Sequence, residues 1–243
     1  MHSNFQTFRF ALIITLVCSL LLAAAATLLK PRQEENVKLD IKKNILKSAG
    51  ITKPEQALSR QEIQKLYADN IEAMVINHLG DVVEGKKPES IDPKKDHDMY
   101  PVYEWKSNGQ INAFIIPISG KGLWSTIYGY LAIEPDGSTI KGITFYQHGE
   151  TPGLGGEIEK QWFTDNYQGK KIINPEGELV SVSVVRGKVK DKIPDAEQYH
   201  YVDGISGATL TGRGVTNFMK EDLKTYEPFF LKIRGEKKGE ING

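Results

Sequence analysis

The N-terminal part of the chain carries an uninterrupted apolar run. The twenty residues from Phe10 to Leu29 contain no charged side chain, and at about 1.5 Å per residue in a helix they span about 30 Å, the thickness of a bilayer's hydrocarbon core. The run predicts a transmembrane helix at 10–29, after a short segment at 1–9. A cleaved signal peptide is the alternative, since Ala23–Ala26 supply small residues, but Leu28 and Leu29 continue the run as an uncleaved anchor would.

Residues 30–84 show helical periodicity. Val37, Ile41 and Ile45 recur at four-residue spacing, which predicts an amphipathic helix that Gly50 ends. A second helix is predicted from Pro54 to Leu79. Its apolar stripe fits core packing better than a cofactor site, and it consists of Ile63, Leu66, Tyr67, Ile71, Met74 and Val75.

The region 85–233 is predicted to be one domain built around an antiparallel sheet. After a polar loop at 85–98, four segments are rich in β-branched and aromatic residues, and turn residues separate them, so consecutive hairpins are expected. The four segments are Tyr103–Lys106, Ile111–Ile118, Thr126–Ile133 and Thr139–Phe145.

The remaining elements complete an α+β fold class. A short helix is predicted at Glu157–Phe163, a strand at Val180–Val185 and a final helix at Gly207–Tyr226. The Gly- and charge-rich residues 234–243 are predicted to form a flexible tail.

Composition narrows the possible functions. Lys and Arg together number 31, as do Asp and Glu, so no basic surplus exists for binding a nucleic acid backbone. The single cysteine, Cys18, lies in the apolar run, so redox chemistry, if present, must come from a bound cofactor. His148 and Glu150 lack a third ligand, so no metal site is predicted. No dinucleotide-binding Gly-x-Gly-x-x-Gly pattern follows a strand, so no dinucleotide site is predicted in this chain.

The segment from Asp203 to Thr211 lies where a loop becomes the last helix. Ser206 is a suitable N-cap, and the free N–H groups of the first helical turn form a site for an anion. The small residues Gly207 and Ala208 let a bulky group approach the backbone. On spacing alone, a plain helix cap is the commoner explanation of such a segment.

A second segment, from His148 to Glu157, contains four glycines in eight positions. Such a loop lies flat against a planar ring and turns its N–H groups toward ring oxygens. A tight strand-to-helix connection is the alternative for this glycine loop when it is considered alone.

The residues Asp203–Thr209 resemble the flavin-transfer acceptor motif Asp-x-x-Ser/Thr-Gly-Ala-Thr, whose final threonine receives FMN as a phosphodiester. With the glycine loop, the chain is similar to the family of FMN-binding domains found in the C-type subunits of the Na+-translocating NADH:quinone reductases and in the G-type subunits of the Rnf complexes. Further similarity to the C-type subunits lies in Glu34–Asn36, Ile45–Gly50 and Gly120–Trp124.

The resemblance implies one FMN attached covalently to Thr209 by a flavin transferase, with Thr211 outside the motif. It places Ser206, Gly207, Ala208 and Leu210 around the attachment point. The candidates for ring contact are Thr151, Gly153, Leu154, Gly155 and Trp124. Asp203 is expected to orient the loop or to bind a transferase metal, and Arg213 is a possible phosphate contact, although an arginine at such a position is more often solvated.

The resemblance also implies an electron relay between redox centres of other subunits of the complex. It places the chain in the bacterial inner membrane, single-pass, with a periplasmic domain. Charge alone favours the cytoplasm, because basic residues follow the apolar run, but long domains are translocated largely regardless of charge. Three alternatives remain open: a relative of the G-type subunits, a membrane-tethered module that binds flavin reversibly, and an assembly subunit in which Thr209 only caps a helix.

Overall fold

The structure is a computed structural model that describes residues 4–53, 56–92 and 95–241, with side chains described as far as Gly235. The chain divides into a unit that ends at Ile41 and a larger unit that begins at Lys42. The predictions for residues 1–3, for Pro54, and for residues 242 and 243 lie outside the described residues.

One long helix, α1 (Asn4–Ser48), contains the apolar run. Its apolar part is exposed and is long and apolar enough to cross a membrane. The predicted N-terminal apolar helix is therefore confirmed. The predicted amphipathic helix is part of the same α1, which continues through Pro31. Within the larger unit, its last turns bury Asn44, Ile45 and Leu46.

Five antiparallel strands form the sheet, in the order β1-β2-β3-β4-β5. They are β1 (Ile71–Asn77), β2 (Met99–Ser107), β3 (Gln110–Lys121), β4 (Thr126–Ile133) and β5 (Ile140–Gln147). The predicted hairpins are thus confirmed. At the tightest one, Ser107 pairs with Gln110, and Asn108 and Gly109 both adopt positive φ, which matches the right-handed twist of the strands.

The predicted helix at Pro54–Leu79 is wrong for residues 56–59, which are not helical, and in its second half. Helix α2 (Arg60–Asn70) begins at a capping box formed by Ser59 and Glu62, and it ends where β1 begins. Residues 71 and 75 are four positions apart, so they share a face in a helix and also in a strand. Pairing of β1 with β2 decides between the two.

The sheet is buried on both faces. Because side chains alternate along a strand, Phe114, Ile116 and Ile118 enter the main core with Phe218 and Leu223 of the C-terminal helix. On the opposite face the end of α1 approaches closely. The Thr144 hydroxyl donates to the Asn44 carbonyl at 3.5 Å, and a Cβ on Gly142 would lie 2.4 Å from the Ser48 carbonyl oxygen.

The remaining elements differ in length from their predictions. The predicted Glu157–Phe163 helix is two pieces, a 3-10 helix at Gly155–Glu159 and a single turn, α3 (Gln161–Thr164). The predicted strand at 180–185 shortens to β6 (Ser183–Val184), which pairs in parallel with β7 (Tyr201–Val202). Val180 and Ser181 instead donate their N–H groups to the Ile172 carbonyl.

The C-terminal helix α4 (Thr209–Ile241) is longer than predicted. Its predicted end at Tyr226 is wrong, because the buried Phe229 and Phe230 continue its apolar face. Residues 234–241, predicted as a tail, are helical. The predicted domain boundaries at 84 and 233 stay predictions, although β1, which pairs within the sheet, lies before the first of them.

Candidate functional site

The first turn of α4 presents Thr209 to solvent. Thr209 is the first residue of the helix and is exposed, as are Ser206, Gly207 and Leu210, whereas Ala208 is buried. The prediction that Ser206 is the N-cap is wrong, because the residue before the helix is Ala208. The N–H of Gly212 bonds the Ala208 carbonyl at 3.0 Å. The N–H groups of residues 209–211 precede this bond and have no acceptor within the helix, so they are available to an anion.

Thr209 lines two clefts. The smaller, of about 220 Å³, is also lined by Ala208, Gly212 and Arg213. The larger, of about 620 Å³, combines an apolar part with three cationic side chains. Its apolar residues are Leu123, Ile205 and Leu210, and its cations are Arg186, Lys188 and Lys192.

Arg186 is a candidate that the sequence reasoning missed. It lines both clefts, and no ion pair or hydrogen bond engages its side chain within the described part of the chain. The alternating cations of Arg186, Lys188 and Lys190 were the available signal. They follow the strand β6, and only the fold brings them beside α4.

The two threonines near the start of α4 differ in burial. Thr211 is 1% exposed, and its hydroxyl donates to the Glu150 carboxylate at 2.6 Å. The Thr209 side chain is exposed at the clefts. Of these two hydroxyl groups, only that of Thr209 is open to a large reactant.

Glu150 is a second residue whose role the sequence reasoning missed. Its carboxylate accepts the Thr211 hydroxyl and the N–H of Trp124 at 2.9 Å. Burial opposes ionisation of this carboxyl, but the hydrogen bonds from Thr211 and from the backbone near Trp124 outweigh it and lower the pKa of Glu150. The glycine loop is therefore attached to α4 by an ionised side chain.

The structure brings the glycine loop against the acceptor segment, which is the stretch from Asp203 to Thr211. A Cβ on Gly207 would lie 2.8 Å from Cδ2 of Leu154. Thr151, Gly153 and Leu154 are exposed, as a ring contact requires. Gly155 is buried, and a Cβ there would lie 2.6 Å from Oγ1 of Thr211. The absence of a side chain at Gly155 is thus explained by packing against α4.

Trp124 lies at the edge of this region. It is 71% exposed, and its backbone N–H is held by Glu150. Leu123, its neighbour, lines the larger cleft. Ring contact by Trp124 stays a prediction.

Asp203 connects the acceptor segment to the loop that carries Arg186, Lys188 and Lys190. Its Oδ2 lies 2.8 Å from Nζ of Lys188, and its Oδ1 accepts the N–H of Val189 at 2.8 Å. Partial burial opposes ionisation, but these two contacts outweigh it and lower the pKa of Asp203. Gly204, the next residue, has its backbone so close to Val185 that a Cβ would lie 2.0 Å from the Val185 carbonyl oxygen. The expected loop-orienting contact of Asp203 is therefore present.

His148 is held within its loop. Its Nδ1 accepts the backbone N–H of Glu150 at 3.3 Å, and its Nε2 lies 3.5 Å from Oε2 of Glu159. Within the described residues, no group of three or more His, Cys, Asp or Glu side chains is arranged to hold a metal ion.

The residues present fit a flavin mononucleotide. Free helix N–H groups and the cations Arg186 and Lys192 suit a phosphate, while Leu123, Ile205 and Leu210 offer apolar surface to a planar ring. The larger cleft has a volume typical of small-molecule sites, which is about 300–1,000 Å³.

Comparison with known proteins decides the family. The sequence model of the FMN-binding domain family matches residues 122–224, a range that contains both the glycine loop and the acceptor segment. The C-type subunit of the Na+-translocating NADH-quinone reductase from Pasteurella multocida is 37% identical over 92% of either chain. The chain belongs to this family of C-type subunits, the NqrC family. It therefore contains an FMN-binding domain, as the sequence resemblance implied.

Solved structures of the NqrC family agree with this assignment. The crystal structure of the Na+-translocating NADH-quinone reductase C-type subunit from Parabacteroides distasonis superposes with a TM-score of 0.71 at 35% identity, covering 83% of this chain and 96% of that one. NqrC of Shewanella oneidensis gives a TM-score of 0.65 at 30% identity, covering 81% and 97%. The NqrC family, rather than the alternative of the Rnf G-type subunits, accounts for this chain.

Proposed function

We propose that this member of the NqrC family is the electron-transfer subunit of a Na+-translocating NADH:ubiquinone reductase. It carries one FMN, bound through a phosphodiester to Thr209, and relays electrons between redox centres of the other subunits. The observation that carries this proposal is the contrast between the exposed Thr209 hydroxyl at two clefts and the buried, hydrogen-bonded hydroxyl of Thr211.

The chain's own residues position the cofactor, and the bound flavin supplies the electron-transfer chemistry. During attachment by a flavin transferase, the Thr209 oxygen would lose its proton and bond to the FMN phosphorus of a flavin dinucleotide, and the phosphoanhydride bond would break to release the second nucleotide. Arg186, Lys192 and the free N–H groups of α4 would hold the phosphate. Leu123, which lines the larger cleft, and Leu154 of the glycine loop, which packs against Gly207, would offer apolar surface to the ring.

The proposed location follows from α1 and from the family. The apolar part of α1 anchors the chain in the bacterial inner membrane as a single pass, and the larger unit lies in the periplasm. Partners are the other subunits of the complex, one of which binds NADH. The membrane assignment is supported by the length and apolarity of α1 and by the name of the relatives, which are subunits of a quinone reductase.

Intact-mass measurement of the full-length chain, co-expressed with a flavin transferase, tests the proposal. The mass should rise by one FMN residue. Thr209→Ala should abolish the rise. The Thr211→Ala variant should still gain one FMN residue once the attachment reaction has gone to completion. Modification of the Thr209→Ala variant would contradict the assignment.

A second measurement separates this proposal from its alternatives. Covalent flavin remains as a coloured, fluorescent band after denaturing electrophoresis, whereas a reversibly bound flavin is lost. An assembly role in which Thr209 only caps a helix predicts full turnover of the complex with Thr209→Ala, and loss of turnover excludes it.

A further inference from the structure

Three segments around Thr209 meet at the Glu150 carboxylate. Oε1 accepts the backbone N–H of Trp124 at 2.9 Å and that of Ser125 at 3.4 Å. Oε2 accepts the Thr211 hydroxyl at 2.6 Å. One side chain of the glycine loop therefore joins the β3–β4 turn to the first turn of α4.

The surrounding backbone is shaped to admit this carboxylate. A Cβ on Gly122 would lie 2.6 Å from Oε1 of Glu150, and a Cβ on Gly155 would lie 2.8 Å from Oε2. Real Cβ atoms do not approach oxygen so closely, so a side chain at either glycine would displace Glu150. The backbone N–H of Glu150 is itself held by Nδ1 of His148. Hydrogen bonds thus hold both the backbone and the carboxylate of Glu150.

Glu150 is also an unusual ion. It is 5% exposed, and within residues 4–53, 56–92 and 95–235 no cationic side chain forms an ion pair with it. Against the effect of burial, hydrogen bonds from neutral donors lower the pKa of Glu150 and keep the carboxylate ionised. A buried carboxylate without a cation costs more desolvation free energy than a glutamine amide. Both carboxylate oxygens accept hydrogen bonds, whereas a glutamine amide has a single acceptor oxygen, so the donors around Glu150 suit an ionised carboxylate.

We infer that Glu150 is a positioning residue of the flavin site that acts as an anion. Through Thr211 and the backbone of Trp124 it fixes the relative placement of Thr209, Leu154 and Leu123. Its charge, held close behind the first turn of α4, disfavours the addition of electrons to the bound flavin and lowers its reduction potential. This inference rests on the proposed attachment of FMN at Thr209.

Variants of the full-length chain separate positioning from charge. Glu150→Ala and Thr211→Val remove the contact between the glycine loop and α4, whereas Thr211→Ser keeps the hydroxyl. Glu150→Gln keeps an acceptor oxygen and removes the charge. Glu157→Gln is the matched control, since this carboxylate of the same loop accepts only the Trp162 indole N–H among the hydrogen bonds described for its side chain.

Three measurements apply to each variant. Amide hydrogen exchange of the flavin-free chain reports protection at Trp124 and Ser125. The initial rate of flavin attachment reports the placement of Thr209, and the reduction potential of the attached flavin reports charge.

Glu150→Ala and Thr211→Val should lose amide protection in the β3–β4 turn and attach flavin about tenfold more slowly, because a small displacement of a reacting group lowers rates by this much or more. Thr211→Ser should behave as the parent chain. Glu150→Gln should retain most of the protection but have a more positive reduction potential, and Glu157→Gln should leave both unchanged.

Normal amide protection and a normal attachment rate in Glu150→Ala would overturn the positioning role. An unchanged potential in Glu150→Gln would overturn the role of the charge. If the parent chain itself acquires no flavin, the proposed function fails instead, and the mass measurement distinguishes that result from failure of this inference.

Discussion

At the scale of single residues, the environment distinguishes side chains that the sequence presents as equivalent. Thr209 and Thr211 carry the same hydroxyl two positions apart, yet the Glu150 carboxylate occupies the second and solvent reaches the first. The cationic side chains of the loop that follows β6 differ from one another in the same way. Lys188 is paired with Asp203, whereas Arg186 is unpaired among the described residues and lines both clefts beside Thr209.

Arg186 is therefore expected to contribute more to flavin attachment than its neighbours. A hydrogen bond to a charged partner contributes about 1.5 kcal/mol, and exposure reduces this to about 1 kcal/mol. Arg186→Ala should slow flavin attachment about fivefold without changing the melting temperature, as measured by intact mass over time. Lys190→Ala is the control, because Lys190 lines a different cleft. Equal rates for the two variants would show that the phosphate does not contact Arg186.

At the scale of elements, α4 connects the core to the site. Its side chains satisfy backbone groups where β2 and β3 separate. Asp222 accepts the Ser119 N–H at 2.7 Å, and the Tyr226 hydroxyl donates to the Pro101 carbonyl at 3.0 Å. The backbones also meet closely, since a Cβ on Gly214 would lie 2.4 Å from the Lys121 carbonyl oxygen. A change in the packing of α4 on β3 therefore moves Thr209.

The contact between Asp222 and β3 predicts a pH dependence of stability. Burial raises the pKa of Asp222 to about 7, against the effect of the Ser119 N–H and helped by the nearby charge of Glu221. An aspartate in the unfolded chain titrates near about 3.9. Between these two values the folded state holds a proton that the unfolded state has lost, so the free energy of unfolding falls as pH rises through this window.

Asp222→Asn keeps an oxygen acceptor for Ser119 and removes the titration. The variant should lose this part of the pH slope and be more stable than the parent chain by roughly 1–2 kcal/mol at about pH 8. Denaturant unfolding of the full-length chain in detergent across this pH range measures both. The exposed Glu176→Gln variant serves as the control, and a slope that persists in Asp222→Asn would contradict the burial argument.

At the scale of the whole molecule, the two units differ in the surfaces that they expose. The first unit is an exposed apolar helix, while the larger unit has a buried core on both faces of its sheet. Basic residues follow the apolar run, but long domains are translocated largely regardless of charge, so the charge pattern does not fix the placement of the larger unit.

Protease accessibility tests the proposed periplasmic placement. In spheroplasts, added protease should digest the larger unit, since the outer face of the inner membrane is then exposed. In intact cells the protein should be protected. The mature chain should also retain residues 1–29 in its intact mass, as an uncleaved anchor does. Digestion only after the inner membrane is opened would place the unit in the cytoplasm.

The sequence by itself determined those features that depend on neighbours along the chain. An apolar run long enough to span a bilayer, alternating strands and the Asn108-Gly109 turn are local patterns, so they predicted α1 and the hairpins of β2 to β5. The resemblance of the acceptor segment and glycine loop identified the family for the same reason, because both are short and contiguous.

The tertiary structure decided whatever depends on residues far apart in the chain. Ile71 and Val75 satisfy helical and strand periodicity equally, and only pairing with β2 makes them a strand. Glu150 and Thr211 are separated by 61 positions, so neither the burial of one hydroxyl nor the purpose of Gly155 was visible locally. A contact between distant segments exists only after the chain has folded, and for that reason the roles assigned to Glu150 and Arg186 come from the structure.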